Sequence, residues 1–285
     1  MSTGTEELLH QLAPDMRLRA PLRSTGKSVL AEGTYDNQPA IAKHLVDTAP
    51  LWAAHFAREA AALHTFTHTP PPIGAPRLLA AWPEKFLIIM ERLPGTVFST
   101  QRHPPAPLNP LLRDGLLDQL QALSDWTGAC GDPWNQSQDY TERINKYTHT
   151  HQILSIEDAY HLTRALDGLT DNFRPAHGDL IAANVLVSQD VLRLVDWEYA
   201  GSYLRGYDHA LLWVTATRDV ATRAAIKERL TTSRKGHQAF LVNTLLLLAR
   251  EIRIHLPHHH EPWAASRLEQ LHQDLSQLSK ELRRR

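Results

Sequence analysis

The chain has 285 residues, 42% of them hydrophobic and 7% aromatic, enough to bury the core of one large or two modest domains. A formal net charge of -1 with no long basic run excludes a nucleic-acid footprint, and no apolar run reaches the length of a membrane span. The one cysteine, Cys130, excludes an internal disulfide and fits a reducing compartment; the start Met1-Ser2-Thr3-Gly4-Thr5-Glu6-Glu7 lacks the basic-then-apolar order of a signal peptide, so a cytoplasmic protein is expected.

In chain order, a short helix is expected near Glu6 to Leu12. Arg23-Ser24-Thr25-Gly26-Lys27-Ser28 follows as a candidate phosphate loop, in which Gly26 and the flanking hydroxyls would present backbone N–H groups. The string Gly-Lys-Ser is not a P-loop, because that motif needs a glycine where Pro21 stands and a strong apolar strand leading into it. Ser28 to Tyr35 and Pro39 to Leu45 read as a hairpin around the turn Asp36-Asn37-Gln38, with Lys43 on the second strand. An alanine-rich helical pattern from about Pro50 to Phe66 carries Leu51, Phe56, Leu63 and Phe66 as apolar positions and includes Glu59.

Lys85 to Met90 is a buried-strand signal, broken by Glu91-Arg92-Leu93-Pro94-Gly95. The proline-rich segment 102–107 then opens a mostly helical region. Leu108 to Trp126 carries Leu111, Leu112, Leu116, Leu120 and Leu123 at helical spacing, and helices are expected near 143–170, 219–231, 236–256 and 262–284. His258-His259-His260 reads as a solvated turn, and Lys280 to Arg285 as a basic helix end that complements the macrodipole.

The chemistry concentrates in one window. His177-Gly178-Asp179 is followed by Asn184 and then by Asp196 within Leu194-Val195-Asp196-Trp197-Glu198. Between Asn184 and Asp196, Val185-Leu186-Val187 and Val191 to Val195 flank the turn Ser188-Gln189-Asp190 and predict a strand hairpin that folds its two ends toward each other. Two oxygen donors at one end suit a hard cation such as Mg2+. Phosphoryl transfer asks for a carboxylate near the attacking hydroxyl and for side chains that hold magnesium on the phosphates.

The segments HGDLIAANVLV and LVDWEYAG resemble the catalytic and metal loops of the aminoglycoside phosphotransferase and choline kinase family, small-molecule kinases that share the protein-kinase fold. The resemblance implies an α+β, two-lobed protein-kinase-like fold. A small N-terminal antiparallel-sheet lobe would span 1–93, and a larger, mainly helical C-terminal lobe of 94–285 would hold the two loops and the acceptor site. It assigns Asp179 to orienting or deprotonating the acceptor hydroxyl, and Asn184 and Asp196 to Mg2+. Lys43, paired with Glu59, would hold the α and β phosphates of ATP or GTP, with Gly26 and Ser28 in the phosphate loop. Met90 would line the base pocket, and backbone groups from Glu91 to Leu93 would hydrogen-bond the base. His177 and Asp208 would brace the catalytic loop, and Glu198 is a further candidate at the metal or substrate.

The implied partners are a nucleotide and a small-molecule acceptor, with no nucleic acid and no membrane; the oligomeric state is not legible. The family leads to the expectation of an aminoglycoside-, choline- or vitamin-like acceptor, often cationic, for which Asp114, Asp118, Asp125, Asp132, Asp139, Glu142, Glu157 and Asp158 are the available acids. Sugar, nucleoside and peptide-antibiotic hydroxyls stay open. A catalytically silent nucleotide-binding protein of this fold would be expected to lack Asp179, Asn184, Asp196 or Lys43, and all four are present. A protein kinase is excluded by the missing A-P-E segment and by the eleven residues between Asp196 and Asp208, too few for an activation segment.

Overall fold

The computed structural model describes residues 3–284; Met1, Ser2 and Arg285, at the two ends, lie outside the described residues. In order, the first elements are α1 (Thr3–Leu12), β1 (Arg17–Ser24), β2 (Ser28–Tyr35), β3 (Gln38–Leu45), α2 (Pro50–His68), β4 (Leu78–Trp82), β5 (Leu87–Glu91) and β6 (Thr96–Val97). There follow α3 (Pro110–Ser124), α4 (Tyr140–Asn145), α5 (Ile156–Asp167), β7 (Phe173–Ala176), β8 (Val185–Ser188), β9 (Val191–Leu194) and β10 (Gly201–Leu204). The chain then runs through α6 (Tyr207–Thr215), α7 (Val220–Leu230), α8 (Arg234–His255) and α9 (Pro262–Arg283). Among the described residues no helix is long and apolar enough to cross a membrane.

The chain divides into two compact units. The sheet-rich unit is assembled from three stretches, 1–98, 126–135 and 184–200, and the helical unit from the remainder. This partition differs from a single boundary at residue 93, and side-chain packing explains why. The Phe66 ring on α2 lies edge-on to Trp197 at 4.7 Å between centroids and also meets Trp126 and Trp134, so an aromatic cluster draws the two later stretches onto α2. The main chain adds to it: β6 pairs with β8, and Gly74 bridges to Arg193.

In the sheet-rich unit, five antiparallel strands stand in the order β1-β2-β3-β5-β4. The β2–β3 connection is a two-residue turn with Asp36 and Asn37 at φ 50° and 62°, the left-handed pair whose twist suits a tight hairpin. Leu9, Ala13 and Met16 pack on Ala40, Ala42, Leu87 and Ile89 beneath the sheet. The first strand, β1, has little apolar alternation and was not expected as a strand; its register slips twice against β2, and Gly33 admits Arg17 carbonyl oxygen to 2.2 Å of where a Cβ would stand. The strand signal at Lys85 starts two residues late, because Pro83–Lys85 forms a 3-10 turn that ends on a left-handed Phe86.

The helical unit is built around α8, on which Leu245 to Ala249 are all fully buried, as befits a helix packed on several sides. It contacts α5, α6, α7 and α9. A buried polar chain locks α8 to α4 and β10: Tyr140 hydroxyl donates to Asn243 Oδ1 at 2.6 Å, Asn243 Nδ2 donates to Leu204 O, and Leu204 N donates to the Tyr140 oxygen. The expected helix over 143–170 is interrupted by a wide turn at Lys146–Thr150, and Ser155 starts α5 with a capping box. Leu111, expected on the apolar stripe, is 84% exposed because it sits in the first turn of α3 behind the Asn109 cap.

His209 on α6 is buried, with Nε2 3.2 Å from Leu117 O, and burial lowers its imidazole to about 4. Between about pH 6.5 and 4 the unfolded chain therefore binds a proton that the folded chain refuses, so stability falls as pH falls through that window, by up to about 3 kcal/mol. Replacing His209 with Asn keeps an N–H donor and removes the titration. Urea unfolding at the two ends of the window is expected to show a smaller acid loss in H209N than in the parent; equal losses would count against the assignment.

Candidate active site

The sheet-rich unit gathers most of the residues singled out in the sequence. β3 carries Lys43 opposite Leu30 and Ile88, and α2 carries Glu59. Lys43 Nζ donates to Glu59 Oε2 at 2.6 Å and to Asp196 Oδ1 at 2.9 Å, with Glu198 Oε2 at 3.5 Å. The Lys43 and Glu59 side chains are 7% and 2% exposed, whereas Asp196 keeps 41% of its side chain open. The three carboxylates offer oxygens that all lie within 4.8 Å of one another.

With one ammonium among three carboxylates, the cluster carries a formal charge of two negative when ionised. Burial alone would lower Lys43, but Glu59, Asp196 and Glu198 together outweigh it and hold the ammonium far above its ordinary value. Burial raises Glu59 to about 7 against the pull of the Lys43 ammonium, with Asp196 and Glu198 pushing the same way as burial. Glu198 is raised by burial first and by Asp196 second. A surplus of anionic oxygen, buried at Glu59 and partly open at Asp196 and Glu198, is the environment into which a hard cation fits.

The hairpin that presents Asp196 follows the expected plan. β8 pairs with β9 around Gln189 and Asp190, both left-handed, and Val195 N donates to Asn184 O at 3.0 Å, so Asn184 and Asp196 flank the same end. Asn184 is buried. Asp196 itself has φ 66°, a left-handed backbone that aspartate tolerates better than most residues and that turns the chain just after β9. Trp197 anchors this turn by donating its indole N–H to Leu194 O.

Two further expected segments of this unit have backbone groups already bonded within the fold. Gly26 and Ser28 lie in the β1–β2 turn, where Lys27 N and Ser28 N both donate to Thr25 Oγ1 and Lys27 Nζ sits 3.3 Å over the Trp52 ring. Two of the backbone donors proposed for phosphate are therefore used within the turn; a Cβ on Gly26 would meet nothing within 4 Å. Similarly, Glu91 N donates to Arg77 O and Arg92 N to Pro39 O, while the Glu91 carboxylate pairs with Arg77. Of the backbone groups from Glu91 to Leu93 expected to hydrogen-bond a base, the N–H groups of Glu91 and Arg92 are thus engaged in the fold, Leu93 is the position past the last sheet bond, and Met90 is buried at the end of β5.

In the helical unit, Asp179 stands in the loop after β7. Asp208, in the first turn of α6, accepts from His177 N at 2.7 Å and Gly178 N at 2.9 Å. This holds the loop where Gly178 adopts φ 82°, a conformation that suits glycine. Burial raises the Asp208 carboxyl, against the pull of these two N–H donors. Asp179 N donates to His177 Nδ1 at 3.3 Å, so the fully buried imidazole is tied back to the loop that carries it.

The sequence reading missed the cations around Asp179. Arg250 Nη2 is 3.4 Å and Arg102 Nη2 3.8 Å from Asp179 Oδ1. Arg102 also grips Glu251 through two parallel bonds of 2.8 Å, Nε to Oε2 and Nη2 to Oε1. Burial would raise Glu251, yet Arg102, His103 and Arg250 outweigh it and hold this carboxyl well below the usual range. One signal was available: Arg250-Glu251 is a charged pair directly after five apolar residues of α8. Several of the acids considered for a cationic acceptor have local partners instead. Asp139 caps α4, Asp158 closes the α5 capping box and pairs with Arg283, and Asp114, Asp118 and Asp125 pair with Arg113, Arg229 and Arg205.

The model of the phosphotransferase enzyme family matches residues 34–240, more than half of the chain. No curated protein matches it in sequence. Among solved structures, APH(2")-IIia in complex with GDP and kanamycin superposes with a TM-score of 0.66 at 12% identity, over 97% of this chain and 99% of that one. The choline kinase LicA from Streptococcus pneumoniae gives 0.63 at 14% identity, over 97% and 100%. A thermostable mutant of aminoglycoside phosphotransferase APH(4)-Ia, in ternary complex with AMP-PNP and hygromycin B, gives 0.63 at 13%, over 95% and 98%. These likenesses bear out the protein-kinase-like α+β fold read from the two loops.

Proposed function

We propose that this chain, which belongs to the phosphotransferase enzyme family, moves the γ-phosphate of ATP or GTP to a hydroxyl of a small molecule. The acceptor oxygen forms a bond to the γ-phosphorus as the bond from that phosphorus to the β–γ bridging oxygen breaks. The electron pair of the broken bond stays on the nucleoside diphosphate, and the hydroxyl proton passes to Asp179. The observation that carries this reading is the Lys43 cluster, a buried lysine fixed by Glu59 and set among more carboxylate than it neutralises. Lys43 is suited to the nucleotide phosphates; Asp196 and Asn184, with Glu198 beside them, are suited to Mg2+. The ion would draw charge from the phosphate oxygens as the bond to the leaving group breaks.

A Mg2+ titration of nucleotide binding tests the assignment. In the parent, Mg2+ is expected to tighten binding well over tenfold, and in Asp196→Asn that gain should largely vanish while Mg2+-free binding changes little. An undiminished Mg2+ response in D196N would remove Asp196 from the metal site. Nucleotide consumption with aminoglycosides, amino alcohols, sugars and vitamins as acceptors then reads the acceptor directly.

A further inference from the structure

A cavity of about 760 Å3 opens in the helical unit, large enough for a drug-sized molecule, and Arg102, His103, Arg218, His255, Trp263 and Arg267 are on its wall. None of its lining residues is Asp or Glu. Arg102 joins it to the catalytic loop, since the same guanidinium lies 3.8 Å from Asp179 Oδ1.

The charges of this wall are unevenly satisfied. Arg102 is neutralised by Glu251 beneath it. Arg267 donates to the Thr217 hydroxyl, and among the described residues neither it nor Arg218 pairs with a carboxylate. Arg267 is lowered by burial and then by the like charge of Arg218. His103 is 7% exposed, and its Nδ1 has no hydrogen-bond partner among the described residues. The Trp263 ring, 59% exposed, packs against His255 and His258 and leaves an aromatic face available. His103, Glu251 and His255 lie close enough to share a metal ion, but the guanidiniums of Arg102 and Arg250 already claim Glu251 and would oppose a further cation.

We propose that this cavity receives the acceptor, and that it selects a hydroxylated molecule carrying a carboxylate or a phosphate rather than a polycation. This rests on the phosphotransferase reading above and supplies its substrate class. The planar fork of a guanidinium recognises a carboxylate or phosphate in bidentate fashion, Arg218 and Arg267 each offer one, and a polyamine entering the same wall would meet like charge with no Asp or Glu lining the cavity to receive it. The acceptor's hydroxyl oxygen then bonds to the γ-phosphorus as the bond to the β–γ bridging oxygen breaks and its electron pair leaves on the nucleoside diphosphate; the hydroxyl proton goes to Asp179, while the acceptor's anionic group stays on Arg218 and Arg267.

Calorimetric titration of the full chain with gluconate and glycerol 3-phosphate, against kanamycin and choline, separates the classes. Phosphoryl transfer to the same four compounds is measured alongside. Anionic compounds are expected to bind in the millimolar range or tighter, and Arg218→Gln and Arg267→Gln to weaken that binding about tenfold each, the loss of one guanidinium contact. Nucleotide affinity and the circular dichroism spectrum of both variants should match the parent, which excludes misfolding. Whether gluconate or glycerol 3-phosphate binds tighter decides between carboxylate and phosphate. Tighter binding of kanamycin or choline than of either anion, no anion binding in the millimolar range, or anion binding indifferent to both substitutions would overturn the proposal. Arginine-dependent anion binding without transfer to any compound would instead count against the phosphotransferase reading.

Discussion

Replacing Asp179 with asparagine is expected to lower kcat by about 10²–10⁴-fold, the span of a positioned general base, and to leave nucleotide affinity within a few-fold of the parent. Asp179 belongs to the helical unit and is held there by Asp208 through the loop backbone and by Arg102 and Arg250 on one carboxylate oxygen. Lys43, proposed above for the nucleotide phosphates, is clustered with Glu59 and Asp196 in the other unit. Asparagine keeps the size and one acceptor oxygen for the arginines, so a folding defect is not expected, but it cannot take up a proton. Steady-state turnover combined with a nucleotide titration is the measurement. Turnover near the parent level in D179N would remove Asp179 from the chemistry.

Replacing Lys43 with methionine is expected to cost about 3–5 kcal/mol of stability, because it leaves Glu59 buried without its cation. The effect is assigned to Glu59 rather than to Asp196, whose carboxylate is 41% open and can be hydrated. A second substitution separates packing from charge. Glu59→Gln added to K43M removes the stranded carboxylate, so the double variant is expected to recover a substantial part of the loss in urea unfolding. Nucleotide turnover should stay abolished in both. Additive losses in the two single variants and no recovery in the double would mean that Lys43 and Glu59 do not act as a pair.

The segments proposed for catalysis and metal binding are legible as a pattern because their residues are close in sequence. The hairpin from Asn184 to Asp196 follows from apolar runs and a turn signal, and the structure folds it accordingly. The Lys43–Glu59 pair was legible only by family resemblance, since nothing in composition tells one helical glutamate from another. Two kinds of feature stayed hidden. Turn chemistry hid in Thr25, whose hydroxyl captures the N–H groups that the flanking Gly26 and Ser28 suggested for phosphate. Long-range pairing hid in Arg102 and Glu251, 149 residues apart, whose meeting depends on packing that no window of sequence reports. The acids read as partners for a cationic acceptor show the same limit from the other side, as caps and ion pairs absorb several of them.

Because the sheet-rich unit is threaded from three separate stretches, it has no excisable boundary. A fragment ending at Phe98 would strip the Phe66 ring of Trp126, Trp134 and Trp197 and leave β6 without β8. It would also lack Asp196 and Glu198, and with them two of the three anions that share Lys43. Transplanting this half into a relative therefore means exchanging all three stretches together, and a chimaera joined at one crossover point would inherit an unfinished core.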